Sequence, residues 1–184
     1  RVPVNLVIRL MNYPILITGI AASGKTTVCK ELKRLGYNAV DIERIEGMFT
    51  KVVRSTGEPY TGPDKNSIAV VKRTDWICDK TKLTTFLNDQ EGIIFCGGVA
   101  ANIEEIIPLF KKVILLTAGR ETIGERLQTR TGTGFGKDPE VQEMILGQID
   151  SVNQDIVSNG AVTVDTDRPL NEVTEEILGK TNLH

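Results

Sequence analysis

The stretch ILITGIAASGKTTVCKEL, residues 15–32, decides how the rest of the chain is read. With Pro14 it opens on a short apolar run, PILIT, bounded by proline and glycine as a buried central strand would be. Val28, Leu32 and Leu35 then recur at i, i+4 and i+7, and Gly36 stands where a helix C-cap belongs. Between strand and helix, Gly19, Gly24, Lys25 and Thr26 match G-x-x-x-x-G-K-[ST] with no departure. The glycines, lacking Cβ, let backbone N–H groups turn toward one point, where the positive end of the following helix also aims. Lys25 carries its charge toward the β- and γ-phosphates of a nucleoside triphosphate, and the Thr26 hydroxyl is placed to ligate Mg²⁺. Ala22, Ser23 and Thr27 complete the loop and the first helical turn, so this segment is expected to hold the phosphates of ATP.

Working outward, YNAVDI (37–42), GIIFCGG (92–98), KVILLTA (112–118) and AVTVD (161–165) read as four further strands. Helices are expected over 43–55 and 66–88, around 103–110 where Pro108 ends or disturbs the pattern, through Arg130, and over 169–180. A long helix is expected from Pro139, capped by Asp138, because Val141, Ile145, Ile149, Val152 and Ile156 repeat at helical spacing. TGEPYTGPDK (56–65) and the glycine-rich TGTGFGKD (131–138) are loops. Strands alternating with helices predict an α/β fold of three layers, α/β/α, around a five-stranded parallel sheet. Ligands of such sheets bind beyond the C-terminal strand ends, so the residues that follow each strand carry the information.

A length of 184 residues suits a single domain, 1–184, and the 40% hydrophobic and 25% charged composition is that of a globular chain. A net charge of −2 provides no basic field for nucleic acid or an anionic membrane, and no apolar run reaches the roughly 20 residues of a bilayer span. The three cysteines, Cys29, Cys78 and Cys96, have no CxxC spacing and read as free buried thiols of a cytoplasmic protein. RVPVNLVIRL precedes Met11, so residues 1–10 are expected to be an N-terminal extension. The sole histidine, His184, is terminal and excludes a histidine-based triad.

On the 19–26 motif and this order of elements, the chain resembles the P-loop nucleoside and nucleotide kinase superfamily over residues 14–178, adenylate-kinase-like and shikimate-kinase-like small-molecule kinases in particular. The resemblance implies a P-loop NTPase fold with a short lid at 131–138 and an acceptor-binding region at 44–88. It implies that Asp41, closing the second strand, approaches the metal or the acceptor hydroxyl, with Glu43 as second candidate; an acidic helix start explains the same letters. Gly97 and Gly98 would present bare backbone to the substrate or simply make a tight turn. Arg126 and Arg130, four apart on one helix, would serve the adenine and the transferring phosphoryl group, or form a solvated basic face. Arg168 would border the adenine, or belong to a helix start before Pro169. Arg54, Arg73 and Trp76 are the residues of the acceptor region able to grip an anion or a ring, although the two arginines also read as surface charges and the spacing of Trp76 with Leu83 and Leu87 reads as core packing. The third strand lacks a terminal carboxylate, so any metal carboxylate must come from Asp41. No arginine follows Gly57-Glu58 as in shikimate kinases, and CGGVAAN stands where adenylate kinases carry Asp-Gly-Phe-Pro-Arg.

These readings combine into an ATP- and Mg²⁺-dependent phosphotransferase, monomer or homodimer, acting on a nucleoside, nucleotide or small hydroxylated metabolite. A shikimate-kinase-like metabolite kinase and a P-loop ATPase or nucleotide-dependent switch are the alternatives. The absence of an Asn-Lys-x-Asp guanine motif favours ATP over GTP.

Overall fold

A computed structural model of the chain describes residues 12–131 and 134–181. The expected extension at 1–10, His184, and Gly132 and Thr133 of the expected lid lie outside the described residues.

Strands β1 (Tyr13–Thr18), β2 (Ala39–Asp41), β5 (Ile93–Gly97), β6 (Lys112–Thr117) and β7 (Val162–Asp165) form one parallel sheet in the order β2-β5-β1-β6-β7. The apolar run that precedes the phosphate loop is thus the central strand. It pairs Ile15 with Phe95 on one side and Lys112 on the other. Because successive strand residues point to opposite faces, the sheet divides its side chains between two cores. Ile15, Ile17, Phe95, Ile114 and Leu116 face helix α1 (Lys25–Arg34) and the C-terminal α8 (Leu170–Lys180), meeting Val28, Leu32, Val173 and Ile177. Leu16, Ile94, Cys96, Val113 and Leu115 face the other layer. There they meet Leu83 and Leu87 of α3 (Lys80–Asn88), Ile106 of the short α4 (Ile103–Ile106) and Ile156 of α7 (Ile149–Ser158). All three cysteines are free and buried. No helix among the described residues is long and apolar enough to cross a membrane.

Three expected helices differ. Residues 43–55 hold a 3₁₀ turn, Ile42–Arg44, and then β3 (Phe49–Val53), whose Phe-Thr-Lys-Val-Val favours a strand. Residues 66–88 split into a single turn, α2 (Ile68–Val71), strand β4 (Thr74–Cys78) and α3. Asp79 accepts a hydrogen bond from Lys82 N at 3.0 Å, so a new helix starts there and the helical spacing of Trp76 with Leu83 is coincidental. β3 and β4 pair antiparallel as a two-stranded sheet standing beside the main one. The long helix breaks at Gln148, after Gly147, into α6 (Pro139–Gly147) and α7. Its expected caps hold, since Asp138 accepts from Glu140 N at 2.9 Å and Pro139 occupies the first turn. Between β6 and α6 runs α5 (Arg120–Thr129), whose Ile123 and Leu127 form a third cluster with Ile20, Val141, Ile145 and Ile149.

Candidate active site

The loop from Thr18 to Lys25 is shaped for a bound anion. Gly19 has φ 144°, and a Cβ there would stand 2.5 Å from the Leu116 carbonyl and 2.7 Å from Ser23 Oγ. Gly24 has φ 106° and Ala22 φ 66°, both in the region that L side chains avoid. Gly24 supplies no side-chain cap to α1, so the helix's first amides are available to phosphate oxygens. Lys25 Nζ folds back onto the Gly19 and Ile20 carbonyls at 2.7 and 3.0 Å. Burial lowers its pKa, opposed by the nearby Glu43 and Asp41 carboxylates.

Asp41 Oδ2 accepts from the Thr26 hydroxyl at 2.8 Å and lies 3.4 Å from Arg44 Nε. Its Oδ1 accepts from Glu43 N at 3.2 Å, so the same side chain also starts the 3₁₀ turn. Glu43 is aimed differently. Its Oε1 accepts from Val99 N at 3.0 Å and its Oε2 from the Trp76 indole at 3.2 Å. Burial raises its pKa, with Lys25 and the Val99 N–H opposing. Thus β2 ends in two carboxylates with separate partners, one on the phosphate loop and one on the hairpin.

The predicted arginines also divide. Arg126 donates to Thr166 Oγ1 at 2.9 Å and the Thr166 carbonyl at 2.8 Å, with the Ala22 carbonyl at 3.5 Å. Thr166 in turn donates to the Ser23 carbonyl at 3.1 Å. Arg126 therefore braces the phosphate loop against the β7 loop. Arg130 donates to the Phe135 carbonyl and lies 5.9 Å from the centre of its ring, while its Nε has no partner among the described residues. Burial lowers its pKa and the charge of Glu43 raises it, which places the two side chains in one electrostatic neighbourhood. Arg168 is held by Glu176 and by the Asp165 carbonyl.

A cleft of about 1450 Å³ follows the C-terminal strand ends and is lined by Lys25, Thr26, Asp41, Glu43, Trp76 and Arg130, among others. Ala22, Gly24, Thr27, Arg126, Arg168 and Arg54 also border it; Gly19, Ser23, Arg73, Gly97 and Gly98 do not. Arg54 forks onto Asp75, 2.8 Å from Nη2, and donates to the Lys72 carbonyl at 2.8 Å, which ties the hairpin together. Arg73 sits 5.4 Å from the centre of the Tyr60 ring. A Cβ on Gly97 would lie 2.6 Å from Cys29 Sγ, and one on Gly98 2.7 Å from Ile42 Cγ1, so both glycines serve close packing.

The core reading of Trp76 is corrected, because the residue is 36% exposed on the cleft wall. Thr166 and Asn102 were also missed. Thr166 directly follows a strand, whereas Asn102 follows one at a distance: it brackets Cys78, accepting from its N–H and donating to its carbonyl, both at 3.0 Å.

Residues 15–147 match the family model described as AAA domain. The chain is 28% identical over 143 residues to a dephospho-CoA kinase of Dehalococcoides mccartyi, covering 63% of this chain and 72% of that protein. Among solved structures it resembles the shikimate kinase of Acinetobacter baumannii in complex with shikimate, with TM-score 0.62 and 16% identity, covering 98% of this chain and 99% of that one. It also resembles the deoxyadenosine kinase of M. mycoides with bound dATP, with TM-score 0.56 and 17% identity, covering 92% and 99%. With its phosphate loop, strand order and flanking helices, the chain belongs to the AAA domain family and is a member of the P-loop small-molecule kinase superfamily.

Proposed function

We propose that this protein transfers the γ-phosphoryl group of ATP to a hydroxyl of a small molecule held between the β-hairpin and the β2 carboxylates. The observation that carries the reading is the gathering of Lys25, Asp41, Glu43 and Arg130 along one cleft beside a phosphate loop. Phosphoryl transfer asks the protein mainly for positioning and for charge stabilisation, and these four supply both. The loop amides and Lys25 hold the β- and γ-phosphates. Arg130, next to the 131–138 segment, faces the transferring group. Arg126 acts from behind, fixing the loop through Thr166 and Ala22, and Arg168 with Leu170 borders the adenine side.

Thr26 and Asp41 present a hydroxyl and a carboxylate already 2.8 Å apart, hard oxygen donors that fit Mg²⁺. No cluster of three or more His, Cys, Asp or Glu suited to a metal occurs among the described residues, which agrees with an ion that also takes phosphate and water oxygens. When bound, the ion neutralises phosphate charge. Glu43, free of that pair, is the group that accepts the hydrogen bond, and then the proton, of the acceptor hydroxyl. Kinases named for dephospho-CoA, shikimate and deoxyadenosine are all among the similar proteins, so the acceptor is read from the pocket itself.

Lys25→Met tests the assignment. Transfer should fall by at least about 100-fold while the melting temperature stays within a few degrees, because the change removes a charge that burial disfavours. Wild-type turnover in this variant, measured as product formed from ATP, would sink the reading.

A further inference from the structure

We infer that Trp76 is the platform on which the acceptor lies, and that the acceptor is an uncharged molecule joining a flat heteroaromatic ring to a hydroxyl group, a nucleoside in chemical class. The inference rests on the kinase reading and deepens it.

A tryptophan that only packs a core is enclosed on its faces. Trp76 instead stacks on the buried Phe49 at a centroid distance of 5.5 Å and an interplanar angle of 23°, and is 36% exposed beside the phosphate loop. Its orientation is fixed at three points. Phe49 supports the ring, the indole N–H donates to Glu43 Oε2 at 3.2 Å, and its backbone carbonyl accepts from Ala101 N at 2.8 Å. A rigid aromatic surface with its polar atom already satisfied is suited to another π-face. The same hydrogen bond joins the platform to the carboxylate that addresses the hydroxyl. A ring on Trp76 and a hydroxyl at Glu43 are therefore positions on one molecule.

The charges favour a neutral acceptor. Phosphate recognition calls for an open arginine fork. On this side of the cleft Arg54 is engaged by Asp75 and Arg44 lies 3.4 Å from Asp41, while Arg73, outside the cleft, covers Tyr60. Lys51, the cross-strand partner of Trp76, donates to the Lys65 carbonyl. A hydroxy acid or polyol would leave the indole face without a partner, and a nucleotide would bring a phosphate to a place where the Arg54 fork is already taken by Asp75.

Trp76 is the only tryptophan of the chain, so its fluorescence reads the site directly. Emission excited at the red edge is followed during titration with adenosine, guanosine, cytidine and thymidine, their monophosphates, shikimate and gluconate, and product formation from ATP is measured for each. At least one nucleoside should quench or shift the emission saturably and be phosphorylated, with its monophosphate and the non-planar acids weaker. Trp76→Leu should raise KM for that nucleoside on the order of 10- to 100-fold with the KM for ATP unchanged, and Trp76→Phe should recover most of the loss. If no nucleoside perturbs the emission at millimolar concentration, or Trp76→Leu leaves the acceptor KM unchanged, the platform is refuted. Phosphorylation of a non-planar acid alone refutes it while the kinase reading stands. ATP hydrolysis that is the same with every acceptor refutes the kinase reading itself.

Discussion

A methyl group added at Gly97 would stand 2.6 Å from the Cys29 sulfur, and that contact explains the residue better than a substrate surface does. Gly97→Ala should cost about 1–3 kcal/mol in urea unfolding, and Cys29→Ala should restore a good part of it in the double variant, since the two side chains would share one space. Full additivity of the two changes would contradict this account. Glu43 carries the second prediction at this scale. Burial holds its pKa above the ordinary carboxylate value of 4.5, so in the folded state it keeps its proton to higher pH than in the unfolded chain. The stability linked to that proton is fully present below the ordinary value and is lost as pH rises through the folded value. Glu43→Gln does not titrate. The melting temperature of the variant minus that of the wild type should therefore increase from about pH 4 to about pH 8, and a flat or falling difference would contradict the assignment.

At the scale of elements, the hairpin of β3 and β4 lines one side of the cleft with Lys51, Arg54 and Trp76, and on the proposed reading it would hold the acceptor. It is a separate sheet that packs Phe49 and Cys78 into the core beneath the main one and is bonded to the loop after β5, where Asn102 brackets Cys78 and Ala101 N donates to Trp76 O. Asn102→Ala should lower stability by about 1–3 kcal/mol and raise KM for the acceptor while leaving that for ATP unchanged. Steady-state kinetics against both substrates checks this, and parallel changes in the two KM values would show that the hairpin does not act alone. None of the hairpin was legible in the sequence. Phe49–Val53 is short, its partner strand is interrupted by a charged Asp75, and Trp76 happens to fall at helical spacing from Leu83. Pairing between segments about 25 residues apart leaves no local periodicity to read. The central sheet was legible because its strands are short apolar runs flanked by turn residues, and β1, β5 and β6 are buried along nearly their whole length.

Across the whole molecule, the half of the site proposed to bind phosphate follows from one contiguous motif, while the half proposed to hold the acceptor is assembled from β2, the hairpin and the loop after β5. Lys25 and Thr26 could be named from local pattern, and Asp41 from its place at a strand end. The arginines could be found but not assigned. Arg126 looks the same on paper as Arg130, yet Thr166, forty residues away, binds it to the back of the phosphate loop. Arg54 and Arg73 lie in the acceptor region as expected but face Asp75 and Tyr60. Where a side chain finishes depends on partners distant in sequence. The central claim is that a single cleft carries the γ-phosphate to an acceptor hydroxyl. Mass spectrometry of wild-type protein incubated with ATP, Mg²⁺ and pooled nucleosides, nucleotides and hydroxylated metabolites tests it most directly. One new species heavier than its parent by a phosphoryl group is expected, with ADP formed in equal amount and neither formed by Lys25→Met. ADP accumulating at the same rate with no acceptor present, and no phosphorylated product, would contradict it.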